Sequence, residues 1–136
     1  MFNNILVAVD PSHEERQEQS LAAARKLADD AGSEITALTA VEPLPGYMPP
    51  DLAHDAKVRS GDAAMKALRM QVGDRSEIKT IVRHGRPAHE IIEYAKEHGV
   101  DCIVIASHQP GLSDYLLGST AGRVVRHAPC SVIVLR

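Results

Sequence analysis

The chain has 136 residues, a formal net charge of −3, 44% apolar residues and 3% aromatic ones. That length suits one domain with a core of its own, and so small a charge excludes bulk electrostatic recruitment to nucleic acid or to an anionic membrane. No apolar run reaches the length of a membrane span and the N-terminus lacks a signal-peptide layout, so the expectation is a cytoplasmic protein with Cys102 and Cys130 as packed, reduced thiols. With few aromatics the core has to be built from Ala, Val, Ile and Leu, which favours parallel strands covered on both faces by alanine-rich helices.

Residues 5–9 (ILVAV) read as the first strand, with Asp10 at its C-terminal end. Ser12 and Glu15 fit the S-x-x-E capping box, so a helix is predicted to begin there. Leu21, Ala24, Ala28 and Ala31 share one face of it, and Gly32 suits its exit. Residues 34–41 (EITALTAV) form the second strand, and the proline-rich stretch 42–50 is a loop. A long helix is predicted over 51–72, weakened near Ser60 and Gly61, followed by a strand over 77–83. Pro87 opens the next helix, Ala88, Ile91, Ile92 and Ala95 form its buried face, and Gly99 caps it.

The last third is the most informative stretch. Residues 102–106 (CIVIA) are wholly apolar, as a strand covered on both faces should be. Ser107 to Gly111 read as loop, and 112–117 as a brief helical turn. A helix then opens at Gly118, Ser119 and Thr120, with Ala121, Val124, Val125 and Ala128 on one face. Pro129 stops it, and residues 131–135 (SVIVL) are the final strand. A loop that meets a helix at Gly-Ser-Thr suits a phosphate, because the first N–H groups of a helix lack intrahelical partners and carry partial positive charge.

Strands that alternate with helices predict a doubly wound α/β domain spanning 1–136, with a five-stranded parallel sheet in the flavodoxin-like order 3-2-1-4-5 and helices on both faces. The chain switches direction between strands 1 and 4, and ligands of such sheets sit beyond the carboxyl ends of the strands at that point. Asp10 and the Ser107 loop therefore converge on one crevice. There is no G-x-x-x-x-G-K-[ST] for a P-loop and no G-x-G-x-x-G after the first strand. The third strand ends in Arg83-His84-Gly85, where a receiver domain would carry an aspartate. No histidine pattern of the H-x-x-x-H or H-E-x-x-H kind occurs among His13, His54, His84, His89, His98, His108 and His127, and Arg123 and Arg126 read as a solvated face.

ILVAVDPS at the start, HGRPAHEI in the middle and IASHQPGLSDYLLGSTAGRVVRHAPCSVIVLR at the end resemble the universal stress protein family over essentially the whole chain. Nucleotide-binding members of that family carry G-x-x-G-x(9)-G-[ST] after the fourth strand. Here Ala106 and Gln109 stand at the first two glycines, the loop to Gly118 is one residue shorter, and Gly118-Ser119 matches. The branch with I-A-S-H-x-P…LLGS is more similar. The resemblance implies an ATP-binding stress-response or regulatory protein without efficient catalysis, with Mg²⁺ as an optional companion held through phosphate oxygens and Asp10 or water.

The implied nucleotide site comprises Ala8, Val9, Asp10, Val41, Ile105, Ala106, Ser107, His108, Gln109, Gly118, Ser119 and Thr120. Asp10 would hold the ribose hydroxyls, and Val41 would meet the adenine edge through its backbone. Ser107, His108 and Gln109 would flank the phosphates, which Gly118, Ser119 and Thr120 would hold from the helix end. Tyr47 and Arg86 are further candidates at the mouth. His108 has no acid or nucleophile partner in the sequence, which favours a positioning role over a catalytic one. Two rival readings stand beside this one: a slow ATPase or phosphotransferase using the same crevice, and a dimerising module that has lost the nucleotide. The apolar edge strand predicts a homodimer through Val132, Ile133, Val134 and Leu135.

Overall fold

The central apolar runs, 5–9 and 102–105, become strands covered on both sides, so that odd and even positions are both buried. β1 (Asn4–Ala8), β2 (Glu34–Val41), β3 (Ile78–His84), β4 (Cys102–Ala106) and β5 (Ser131–Leu135) alternate with α1 (Glu14–Leu27), α2 (Pro50–Val72), α3 (Pro87–His98) and α4 (Ser119–His127). The computed structural model describes residues 1–28, 32–107 and 117–136. The strands form one parallel sheet in the order β3-β2-β1-β4-β5, as the alternation predicts.

The period-2 geometry of a strand splits the core into two layers. Ile5, Val7, Cys102 and Val104 face α1 and α2, where they meet Leu21, Ala24, Leu68 and Val72. Leu6, Leu38, Ile103 and Ile105 face α3 and α4, where they meet Ala88, Ile91, Ala95, Ala121 and Val124. Ile5, Leu6, Val7, Ile103 and Val104 have no exposed surface. At the end of the sheet remote from the crevice, the Asp101 carboxylate accepts the N–H groups of Asn3 (2.8 Å) and Asn4 (3.1 Å), which fixes β1 against the start of β4.

Several local expectations are corrected. No capping box forms at Ser12, because its N–H and hydroxyl are both directed to Asp10; the helix begins at Glu14, and His13 at its N-cap makes no side-chain cap. β1 starts one residue earlier than predicted, at Asn4, and β3 runs from Ile78 to His84, paired to Val41 at its end. α2 starts at Pro50 and continues without a break through Ser60 and Gly61. Gly61 serves packing there: a Cβ at that position would lie 3.0 Å from Cε1 of His84. Val125 does not join the buried face of α4, being 45% exposed, whereas Ala121 and Val124 are buried. Ala31 and the predicted turn at 112–117, apart from Leu117, lie outside the described residues.

Candidate functional site

Just past β1 the backbone is still tied to β2. The N–H of Val9 reaches the carbonyl of Leu38 (2.8 Å), and the carbonyl of Val9 accepts the hydroxyl of Thr39 (2.7 Å). The chain then turns at Asp10 and Pro11. Oδ1 of Asp10 accepts the N–H of Ser12 (3.0 Å) and its hydroxyl (2.5 Å), a turn in which an aspartate side chain replaces a backbone acceptor. Oδ2 lies 3.7 Å from Nε2 of His13, and the Asp10 side chain remains 61% exposed. One carboxylate oxygen thus shapes the entry to α1, and the residue as a whole lines the crevice.

Ser107 ties together the elements around the crevice. Its N–H donates to the carbonyl of Leu135 (2.8 Å), its hydroxyl accepts the N–H of Gly118 (3.2 Å), and its carbonyl accepts Nη1 of Arg16 (2.6 Å). The residue is buried and bonds beneath the crevice instead of lining it. Arg16 thereby joins the first turn of α1 to the end of β4, a role not read from the sequence. Contacts of this kind, charge-assisted and partly buried, are stronger than neutral ones.

α4 begins in an unusually bare way. Gly118 is its N-cap, no side chain caps it, and its first turn carries no acidic residue. α1, α2 and α3 each have an acid in the first turn, at Glu14 and Glu15, at Asp51, and at Glu90. Among the described residues no side-chain cap forms at any of the four helices, so what sets α4 apart is a first turn without a negative charge beside the positive end of its dipole.

These pieces surround a cleft of about 720 Å³ at the carboxyl ends of the strands. Ala8, Val9, Asp10 and Val41 line it from β1 and β2, and Ile105, Ala106, Gly118, Ser119 and Thr120 from the β4–α4 side. Nine of the twelve predicted nucleotide-site residues therefore share one cavity wall. Ser107 lies just beneath it, and His108 and Gln109 fall outside the described residues. The carbonyl of Val41 already accepts the N–H of Gly85 (2.8 Å). Neither Tyr47, which is 89% exposed, nor Arg86, the N-cap of α3, lines the cleft.

The structure adds walls that the sequence reading missed. Ser60, Ala63, Ala64 and Ala67 present one face of α2, and Pro87 and Ile91 close the α3 side. Spacing of i, i+3, i+4 and i+7 in small residues was the available signal for the first group. Gln17 and Thr39 also line the cleft, and both are buried. Away from the cleft, Arg83 is held by Glu97 (2.8 Å) and lies 5.3 Å from the ring centroid of Tyr94. The hydrogen bond from Arg83 holds the Glu97 carboxyl below its ordinary range. That cluster braces α3 against β3 and takes no part in the cleft. No helix among the described residues is long and apolar enough to cross a membrane.

The sequence model of the universal stress protein family matches residues 1–136. Universal stress protein G of Escherichia coli O157:H7 is 34% identical over 146 aligned positions, covering 100% of both chains. Among solved structures, a universal stress protein from Lactobacillus plantarum superposes with a TM-score of 0.72 at 32% identity, covering 99% of this chain and 98% of that one. A universal stress protein from Archaeoglobus fulgidus, solved in complex with dAMP, shares the fold at a TM-score of 0.63 and 22% identity, covering 99% and 98%. A family match without gaps at either end, on a sheet whose order and switch-point cleft agree with it, means that this chain belongs to the universal stress protein family.

Proposed function

We propose that the chain is a cytoplasmic stress-response or regulatory protein that binds an adenine nucleotide, ATP with or without Mg²⁺, in the switch-point cleft. The observation that carries this reading is the acid-free start of α4 at Gly118, without a side-chain cap among the described residues, on a cleft of about 720 Å³ that Asp10 also lines. Phosphates suit the free N–H groups, and the vicinal hydroxyls of a ribose suit the outward oxygen of Asp10. The alanine face of α2 offers a flat apolar wall to a planar base. The Archaeoglobus fulgidus relative with dAMP supports the choice of adenine nucleotides.

Binding is proposed as the function, with at most weak hydrolysis. The groups directed at the phosphate position are backbone N–H groups and two hydroxyls, which serve the ground state as well as the transition state. Rapid phosphoryl transfer also needs a positioned nucleophile and cations beside the transferred group. Arg16, which reaches the end of β4, is committed to the carbonyl of Ser107. Mg²⁺ would be held through phosphate oxygens, with Asp10 or water completing its shell.

A homodimer through β5 belongs to the same reading. Among the described residues β5 pairs with β4 alone, and Val132, Ile133, Val134 and Leu135 are half-buried in the single chain. Extraction of the purified protein after heat denaturation should release an adenine nucleotide, and light scattering should give twice the chain mass. A protein that neither carries nor takes up any adenine nucleotide would refute the binding function. Sustained phosphate release at about 1–100 s⁻¹, the range of kinases, would replace it with the enzyme.

A further inference from the structure

Among the described residues three arginines are half-buried: Arg16, Arg75 and Arg83. Two of them meet carboxylates. Arg75 pairs with Glu18, and Arg83 pairs with Glu97 (2.8 Å) and Glu90 (3.9 Å). Arg16 meets none among the described residues. Its Nη1 donates instead to the carbonyl of Ser107 (2.6 Å). That placement is unfavourable on two counts. A cation partly withdrawn from water loses hydration that a neutral carbonyl restores less well than a counter-charge does. Arg16 is also the third residue of α1, at the end where the helix dipole disfavours positive charge. Glu14 and Glu15 share that turn, but both are exposed and neither pairs with Arg16.

The residue that Arg16 holds is the one to which the start of α4 is tied. The hydroxyl of Ser107 accepts the N–H of Gly118 (3.2 Å), the N-cap of α4. Gly118, Ser119 and Thr120 line the cleft, and Arg16 does not. No lysine or arginine among the described residues lines it. Any help from a fixed positive charge of the described residues therefore comes from behind the wall, and Arg16 is the arginine bonded to Ser107 there.

We propose that Arg16 is a positioning residue for a phosphate group bound at the start of α4. It fixes the peptide of Ser107 and, through the Ser107 hydroxyl, the N-cap of α4, while its charge, unpaired by any described carboxylate, favours an anion at that end of the cleft. The inference rests on the adenine-nucleotide reading above and names what prepares its phosphate end. Arg16 acts through Ser107 and does not touch the ligand. A guanidinium suits the task, because it stays charged at every working pH and donates from a rigid, planar fork. A role confined to joining α1 to β4 would be served by a neutral donor, without the penalty of the charge. That penalty is carried by the free protein and reduced when a phosphate binds.

The test compares ATP, by calorimetric titration, with adenosine, by displacement of ATP, on the full chain, Arg16→Gln and Arg16→Lys. In Arg16→Gln the Kd for ATP should rise about 3- to 30-fold, the range for a residue that acts without touching the ligand, and the affinity for adenosine should stay that of the parent. Arg16→Lys keeps the charge and a donor and should recover most of the loss. Equal losses for adenosine and ATP would reduce Arg16 to a tie between α1 and β4 and overturn the role. Parental ATP affinity in Arg16→Gln overturns it too, as does Arg16→Lys binding ATP no better than Arg16→Gln. In the unsubstituted protein, the side-chain N–H resonances of Arg16 should shift on saturation with ATP and not with adenosine. Resonances that respond to neither, or to both alike, overturn the role without any variant having to fold. Failure of the unsubstituted protein to bind any adenine nucleotide overturns the binding function itself, and this role with it.

Discussion

Asp10 shapes a turn with one oxygen and, under the proposed function, offers the other to ribose hydroxyls, and a pair of substitutions separates the two roles. Oδ1 accepts the N–H and the hydroxyl of Ser12 and so sets the turn into α1. Oδ2 lies 3.7 Å from Nε2 of His13, on a side chain that lines the cleft and is 61% exposed. Asp10→Ala removes both acceptors. Loss of the turn contact, comparable to loss of a helix cap, should cost about 0.5–2 kcal/mol of stability. Loss of the charged acceptor for ribose hydroxyls should cost about 1.5–3 kcal/mol of binding, or roughly 10- to 150-fold in Kd by the relation of 1.4 kcal/mol per tenfold. Asp10→Asn retains Oδ1 for Ser12 and replaces the outward oxygen by an amino group. It should therefore unfold within about 0.5 kcal/mol of the parent, yet lose most of the affinity that Asp10→Ala loses. Urea unfolding measures the first quantity and ATP titration calorimetry the second. If Asp10→Asn binds ATP as the parent does, the outward carboxylate does not hold the ribose and Asp10 serves only the turn.

Other expectations follow from single features. Gly118→Val should abolish ATP binding and leave the circular dichroism spectrum unchanged, because φ of −58° and ψ of 158° suit a branched residue while its side chain would fill the phosphate position; ATP binding at the parental Kd would place the phosphates elsewhere. Ile103→Ala should lose about 2–5 kcal/mol in urea unfolding, since Ile103 is wholly buried between β1 and β5 in the central part of the sheet; a loss below about 1 kcal/mol would contradict the close packing assigned to that layer. Burial pushes the Cys102 thiol up from 9.0 to about 11, with Cys130 and Asp101 adding to it. Its raised folded value means that the contribution to stability is fully present below pH 9 and is lost as the pH rises to about 11. Urea midpoints should fall across that window, and fall less in Cys102→Ala; an equal fall in both would assign the loss to other groups.

The sequence by itself determined the architecture. Runs such as 5–9, 102–106 and 132–135, apolar at every position, are stable only between two covering layers, and their alternation with helical periods leaves a doubly wound parallel sheet as the consistent solution. It also located the cleft, because chain order alone puts the switch point beside Asp10 and the start of α4. Local signals were less decisive where two groups competed for one partner. Ser12 could cap a helix or close a turn with Asp10, and only the folded chain, in which Asp10 supplies an acceptor at 2.5 Å, chose the turn. Tertiary structure alone brought Arg16 to the carbonyl of Ser107, 91 positions away. It alone made a wall of Ser60, Ala63, Ala64 and Ala67, since the same spacing would serve equally well against a purely structural neighbour. Gln17 is the clearest case. In the sequence it is one polar residue in the run EERQEQS, like others that lie on a solvated face. Only packing reveals that it is buried with an oxygen unpaired, because satisfaction of a hydrogen bond depends on what the rest of the chain places beside it.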